Sequence, residues 1–130
     1  MNAPGWVWLA VLAAGAAGSL LRYAVVSLTP SDRAQPSSPS WPTGVLVANT
    51  VASFVVGLVA GMPASSTGRL ILTVGLGGGL STLSTLAVDT VALWHHGRRG
   101  AALANVALTT VLGIAAAVLG ARVGRVVGVV

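Results

Sequence analysis

Four runs of this sequence are long and apolar enough to cross a lipid bilayer, and that leaves few alternatives to a helical membrane protein. They cover residues 6–28, 43–62, 70–94 and 101–127. A helical span needs about 20 apolar residues, which each run supplies. The first run continues too far past its small residues for a cleaved leader. In hydrocarbon every backbone N–H and C=O must find a partner within the protein, so runs of this length become helices. Only 7% of the 130 residues are charged, against about 25% in a soluble domain. So few charges cannot dress a water-facing surface. The chain therefore reads as one all-α integral membrane domain, residues 1–130, multi-pass in the cell membrane and bathed in lipid.

The connections set the topology. "TPSDRAQPSSPSWP" is rich in proline and serine and reads as an exposed loop. "PASSTGR" and "HHGRRG" are short, so consecutive spans run antiparallel. His95 and His96 read as solvated loop residues. The absence of cysteine excludes disulfides and thiolate metal sites. A net charge of +5 raises the question of nucleic acid. The arginines are scattered beside apolar runs, so no nucleic-acid partner is expected. They serve as topology signals instead. Arg69, Arg122 and Arg125 fall on one side of the membrane, and Arg33, Arg98 and Arg99 on the other. That balance gives the positive-inside rule almost nothing to act on. Such a chain can insert both ways and pair with an inverted copy, or take its orientation from a partner.

Polar and small residues mark the helix faces. Asn49 and Ser53 are four apart, as are Asn105 and Thr109; Ser81 and Ser84, and Thr82 and Thr85, are three apart. Residues at these spacings share a helix face. Each pair can glue helices together, at about 1 kcal/mol per group; stripes on three of four spans also suit a polar pathway. Gly15, Gly18, Gly57, Gly61, Gly120, Gly124 and Gly128 recur on faces that let helices approach closely. The stretch "GLGGGLSTLSTL", Gly75 to Leu86, adds a glycine cluster inside a span. Clustered glycines predict a break there, and freed carbonyls suit a hard cation such as Na⁺. Arg22, late in the first span, either snorkels to the interface or draws anions into a vestibule. No nucleophile, base and acid gather in the pattern, so no enzyme is expected.

Taken in order, "GAAGSLLRY", "PTGVLVANTVASFVVG", "GLGGGLSTLSTL" and "ALANVALTTVLG" resemble the four helix motifs of the Fluc (CrcB) family of fluoride channels. The resemblance covers nearly the whole chain. It implies an antiparallel dual-topology dimer of four-helix subunits, with the third helix broken and two pores exporting fluoride passively to reduce its toxicity. It implies a structural, untransported Na⁺ at the dimer centre, held by the carbonyls of Gly78 and Ser81. It places Asn49, Ser53, Thr82, Leu83, Ser84, Thr85, Leu86 and Thr109 along the anion path, with Arg22 as the vestibule charge.

Three departures stand on that path. Leu83 and Leu86 replace phenylalanines, and Val45 replaces a threonine. Aromatic ring edges are weakly positive and can face a partly dehydrated anion; leucine has no such edge. These losses predict weak conduction by a homodimer. They admit a second reading, a degenerate subunit that scaffolds a related partner's pore in a heterodimer. A small dual-topology drug exporter is a further alternative, but it needs an acid in the first span, and that span has none.

Overall fold

A computed structural model of the protein describes residues 4–29 and 41–128. Arg33, Asp32 and nearly all of the proline- and serine-rich connection lie outside the described residues. Among those residues, all regular structure is helical. The elements are α1 (Gly5–Leu28), α2 (Thr43–Gly61), α3 (Ser66–Leu70), a π-helical segment (Ile71–Gly77), α4 (Gly78–Leu80), α5 (Leu83–His95) and α6 (Arg99–Val127). They make four helical passages long and apolar enough to span a membrane: Gly5–Leu28, Thr43–Gly61, Ser66–His95 and Arg99–Val127. The third begins ahead of its apolar run because Ser65 caps it, its side chain accepting from the Gly68 N–H at 3.1 Å. The turn between α5 and α6 uses Gly97 at φ 76°, a conformation that side chains resist. His95 and His96 end α5 and are exposed.

Missing side chains hold the bundle together. A Cβ on Gly57 would enter the carbonyl of Ala117, and one on Gly61 that of Ala121. Reciprocally, Gly120 presses on the carbonyl of Phe54 and Gly124 on that of Leu58. The register rises together along α2 and α6, so these two spans run parallel with backbones in contact. The same device joins α1 to the third span, where Gly18 lies against Leu76 and Leu80 and Gly79 against Gly15. In lipid this close approach replaces the hydrophobic force that drives soluble helices together. Many large apolar side chains point outward, Leu12, Leu20, Val111 and Ile114 among them, while Val7 and Leu93 are fully buried.

The break in the third span does not fall at the glycines. Gly77 (φ −63°, ψ −44°) and Gly78 (φ −65°, ψ −36°) stay helical. The chain becomes extended only at Ser81 (φ −79°, ψ 154°) and Thr82 (φ −149°, ψ 117°), and the helix restarts at Leu83. The physical reason is that Gly75 and Gly79 are spent on the approach of α1, not on unusual dihedrals. From Ile71 through Gly77 the helix widens into π turns, a rare geometry that is frequent at functional sites.

This packing predicts a sharp contrast between glycines of one helix. At Gly120 a Cβ would also lie 2.8 Å from the Leu58 nitrogen, whereas at Gly100 it would meet nothing within 4 Å. Gly120→Ala should therefore force α2 and α6 apart and cost about 1–3 kcal/mol, the range for overpacking. Gly100→Ala should leave stability unchanged or raised. Thermal unfolding of the purified variants in detergent checks this; equal midpoints for the two would contradict the close packing.

Candidate functional site

The site is built around the extended pair Ser81–Thr82. In a continuous helix the Thr82 N–H would donate to the Gly78 carbonyl. Here it donates to Asn49 Oδ1 at 2.7 Å, while Asn49 Nδ2 donates back to the Thr82 carbonyl at 3.1 Å. Asn49 is buried on α2, so a single carboxamide satisfies both the N–H and the C=O of Thr82 at the break. The Thr82 hydroxyl caps α5, accepting from the Thr85 N–H at 3.3 Å. It also lies 3.2 Å from Ser84 Oγ and 3.0 Å from Thr85 Oγ1. Capping residues of this type favour a new helix start over continuation of the old one. That is why the break sits at Ser–Thr and not at the glycines.

Helix α1 closes the break from the other side. Gly18 lets α1 approach, and Ser19 and Arg22 follow on it. Ser19 Oγ donates to the Gly79 carbonyl at 3.5 Å, and Arg22 Nη1 donates to the Ser81 carbonyl at 3.1 Å. The first half of the span thus ends in carbonyls and the second half begins in N–H groups. Helix termini carry opposite partial charges, negative at the C-terminus and positive at the N-terminus. The break therefore presents a carbonyl pole and an amide pole within a few residues.

Most of the predicted site residues come together. Asn49, Ser53, Ser81, Thr82, Leu83, Leu86 and Thr109 line one cleft of about 230 Å³. A second cleft, also about 230 Å³, lies between α1, α2 and the break; Ser19, Arg22, Val45, Thr82 and Thr85 are among its walls. Thr82 belongs to both. Gly78 and Ser81 border a third cleft of about 280 Å³ with Thr73 and Val56, and both are exposed on the outer surface of the single chain. Ser84 is exposed on the first turn of α5 and lines none of these three clefts. Leu83 is 79% exposed whereas Leu86 is only 9% exposed, so the two leucines share a cleft but not an environment.

The polar groups differ in what they still offer. The Thr109 hydroxyl is buried with no hydrogen-bond partner, a free donor beside the cleft it shares with Asn49 and Ser53. Asn49 has two N–H bonds and spends one on Thr82, so one remains. Asn105, on the face of Thr109, is turned away: its Nδ2 donates to Thr90 Oγ1 at 3.0 Å. No group of three His, Cys, Asp or Glu that could hold a metal forms among the described residues. A hard cation held here would fall to the carbonyls. The Gly78 carbonyl fits that task, having lost its helical donor, and the Ser81 carbonyl fits with one of its two lone pairs already given to Arg22. Ser19 was absent from the sequence expectations; its signal was its place three residues before Arg22.

Removing the Asn49 clamp strands two buried backbone groups. Each unsatisfied group costs about 1–3 kcal/mol. Asn49→Ala should thus lower stability by about 2 kcal/mol or more. Asn49→Asp should behave as badly, because a carboxylate turns an acceptor toward the Thr82 carbonyl. Chemical or thermal unfolding in detergent reads this directly, and wild-type stability in both variants would contradict the clamp.

Comparison with known proteins places these features in a family. A family model described as CrcB-like protein, Camphor Resistance (CrcB), matches residues 9–121. The chain is similar to the fluoride-specific ion channel FluC 1 of Mycobacterium tuberculosis (strain CDC 1551 / Oshkosh), 38% identical over 112 residues, 82% of this chain and 81% of that one. It is 36% identical over 121 residues to the fluoride-specific ion channel FluC of Paracoccus denitrificans (strain Pd 1222), covering 91% of this chain and 94% of that one. To the same-named protein of Renibacterium salmoninarum it is 34% identical over 113 residues, 82% of this chain and 90% of the relative. With a family match from the first span through most of the fourth, and relatives aligned along most of their own length, the chain belongs to the CrcB-like family.

Proposed function

We propose that the protein is a fluoride-specific ion channel of the cell membrane, releasing fluoride passively and so reducing its toxicity. The observation that carries this reading is the break, whose amide pole and hydroxyls border clefts in an otherwise apolar span. Broken helices at membrane depth are tolerated only where they are buried or line a cavity, and half-helix N-termini are used to meet anions. Fluoride holds its water tightly, so a pore must return the lost hydration through well-placed donors. Thr109, the second N–H of Asn49, and Ser53 are such donors on one cleft wall. The relatives' names supply the identity of the ion. Nothing in this chemistry calls for bond making, and the protein acts as a channel, not an enzyme.

The same reading includes an antiparallel, dual-topology dimer. Gly78 and Ser81 are exposed on a single chain, and a carbonyl such as Gly78's, left without its helical donor, is costly against lipid. A second copy covering this face removes that cost, and the near-equal arginine balance permits the inverted insertion it requires. A structural sodium ion, held by the Gly78 and Ser81 carbonyls of both copies, would neutralise the carbonyl poles where they meet.

The leucines favour slow conduction by a homodimer, and keep a heterodimer with a related subunit as the second reading. Leu83 is largely exposed at the cleft, where a ring has room; Leu86 is packed. In liposomes loaded with fluoride, the purified wild type should release fluoride, slowly, in preference to chloride. Leu83→Phe should raise that rate. Leu86→Phe should cost about 1–3 kcal/mol of stability by overpacking, so the double variant gains only if the core yields. Equal release of chloride would overturn the fluoride-specific reading. No release from well-folded wild type and Leu83→Phe would move the function to the heterodimer.

A further inference from the structure

We infer that Arg22 sets the affinity of the central cation site, because it shares the Ser81 carbonyl with it. This inference rests on the proposed sodium ion and concerns what this chain's own residue does to its binding. Arg22 is half-buried and held in place by the packing of α1, since Gly18, one turn earlier, sits against Leu76 and Leu80. Its Nη1 donates to the Ser81 oxygen at 3.1 Å. Ser81 is in extended backbone, so this oxygen is outside any helical ladder. One lone pair takes the guanidinium, and one remains for a cation.

Two opposed effects follow. The guanidinium orients the carbonyl and so prepares it as a ligand. It also places a positive charge on the oxygen that a cation would take, so the two cations would face each other across one atom and repel. The Gly78 carbonyl carries no such burden, because its lost donor, the Thr82 N–H, is taken by neutral Asn49. Of the two carbonyl ligands, one is strengthened by loss of a donor and the other is weakened by a cation. Among the described residues no carboxylate offsets the charge at this point: Asp89, the only described acid, lies on α5 two turns beyond the break and makes none of the contacts described for Arg22. The repulsive effect therefore outweighs the ordering one, and Arg22 keeps sodium binding weaker than the carbonyl geometry alone would allow.

The test reads binding through stability, not through conduction. The purified protein is titrated with sodium chloride at constant ionic strength, with N-methyl-D-glucamine chloride as the replaced salt, and thermal unfolding and the dimer fraction are followed. Wild type should be stabilised by sodium. In Arg22→Gln and Arg22→Met the sodium concentration for half the effect should fall about tenfold or more. Arg22→Lys, which keeps the charge, should stay within about threefold of wild type. Neutral variants that need as much sodium as wild type would overturn the inference and leave the sodium reading standing. No sodium response in any of the proteins would remove the sodium reading, and the inference with it. Neutral variants that fold at no sodium concentration would make Arg22 an indispensable strut, which also overturns it.

Discussion

The pair of hydrogen bonds between the Asn49 carboxamide and the Thr82 backbone is the interaction on which the rest of the site depends. A membrane span with an interrupted ladder must find new partners for its freed groups, since lipid offers none. Asn49 supplies an acceptor and a donor from one rigid group. It can do so because α2 is locked to α6 by backbone contact at Gly57, Gly61, Gly120 and Gly124. Glycine packing thus sets the position of the carboxamide, and the carboxamide sets the position of the break. Once Thr82 is pinned, its hydroxyl is free to cap α5, and the Gly78 carbonyl is left without its helical donor.

From that arrangement the electrostatics follow without any charged residue in the break itself. Two half-helices meet end to end, one offering carbonyls and the other N–H groups. Their partial charges are small, but they act in a medium of low dielectric where they are poorly screened. Such poles would suit a cation on one side and an anion on the other, as proposed above. Among the described residues Arg22 is the full charge that hydrogen-bonds the break, and it touches the carbonyl side. The hydroxyls of Ser53 and Thr109 then extend the donor set along the cleft.

Much of this was legible in the sequence, for identifiable reasons. Hydropathy reveals spans because hydrocarbon imposes length and composition together, and the four helical passages lie close to the four apolar runs. The polar stripes were legible because helical spacing puts Asn49 beside Ser53 and both on a cleft wall. The glycine cluster was legible as important but misread as the break. Glycine weakens a helix in water, whereas in lipid its commoner use is close approach, and Gly75 and Gly79 serve that use. The partners of Asn49 and Arg22 were hidden because both are backbone atoms, which leave no mark in a sequence. The difference between Leu83 and Leu86 was hidden as well, because exposure depends on the neighbouring spans and not on spacing.

The break is a non-helical joint at Ser81 and Thr82, and its two poles are proposed to serve ions of opposite sign. A crystal structure grown in sodium fluoride, at a resolution that separates ions from water, tests it most directly. The expected result is extended backbone at Ser81 and Thr82 with Asn49 paired to Thr82. A cation should lie against the Gly78 and Ser81 carbonyls between two inverted copies, with anion density on the α5 side of the break. A third span that runs as a continuous helix through Ser81 and Thr82, with Asn49 directed elsewhere, would contradict it.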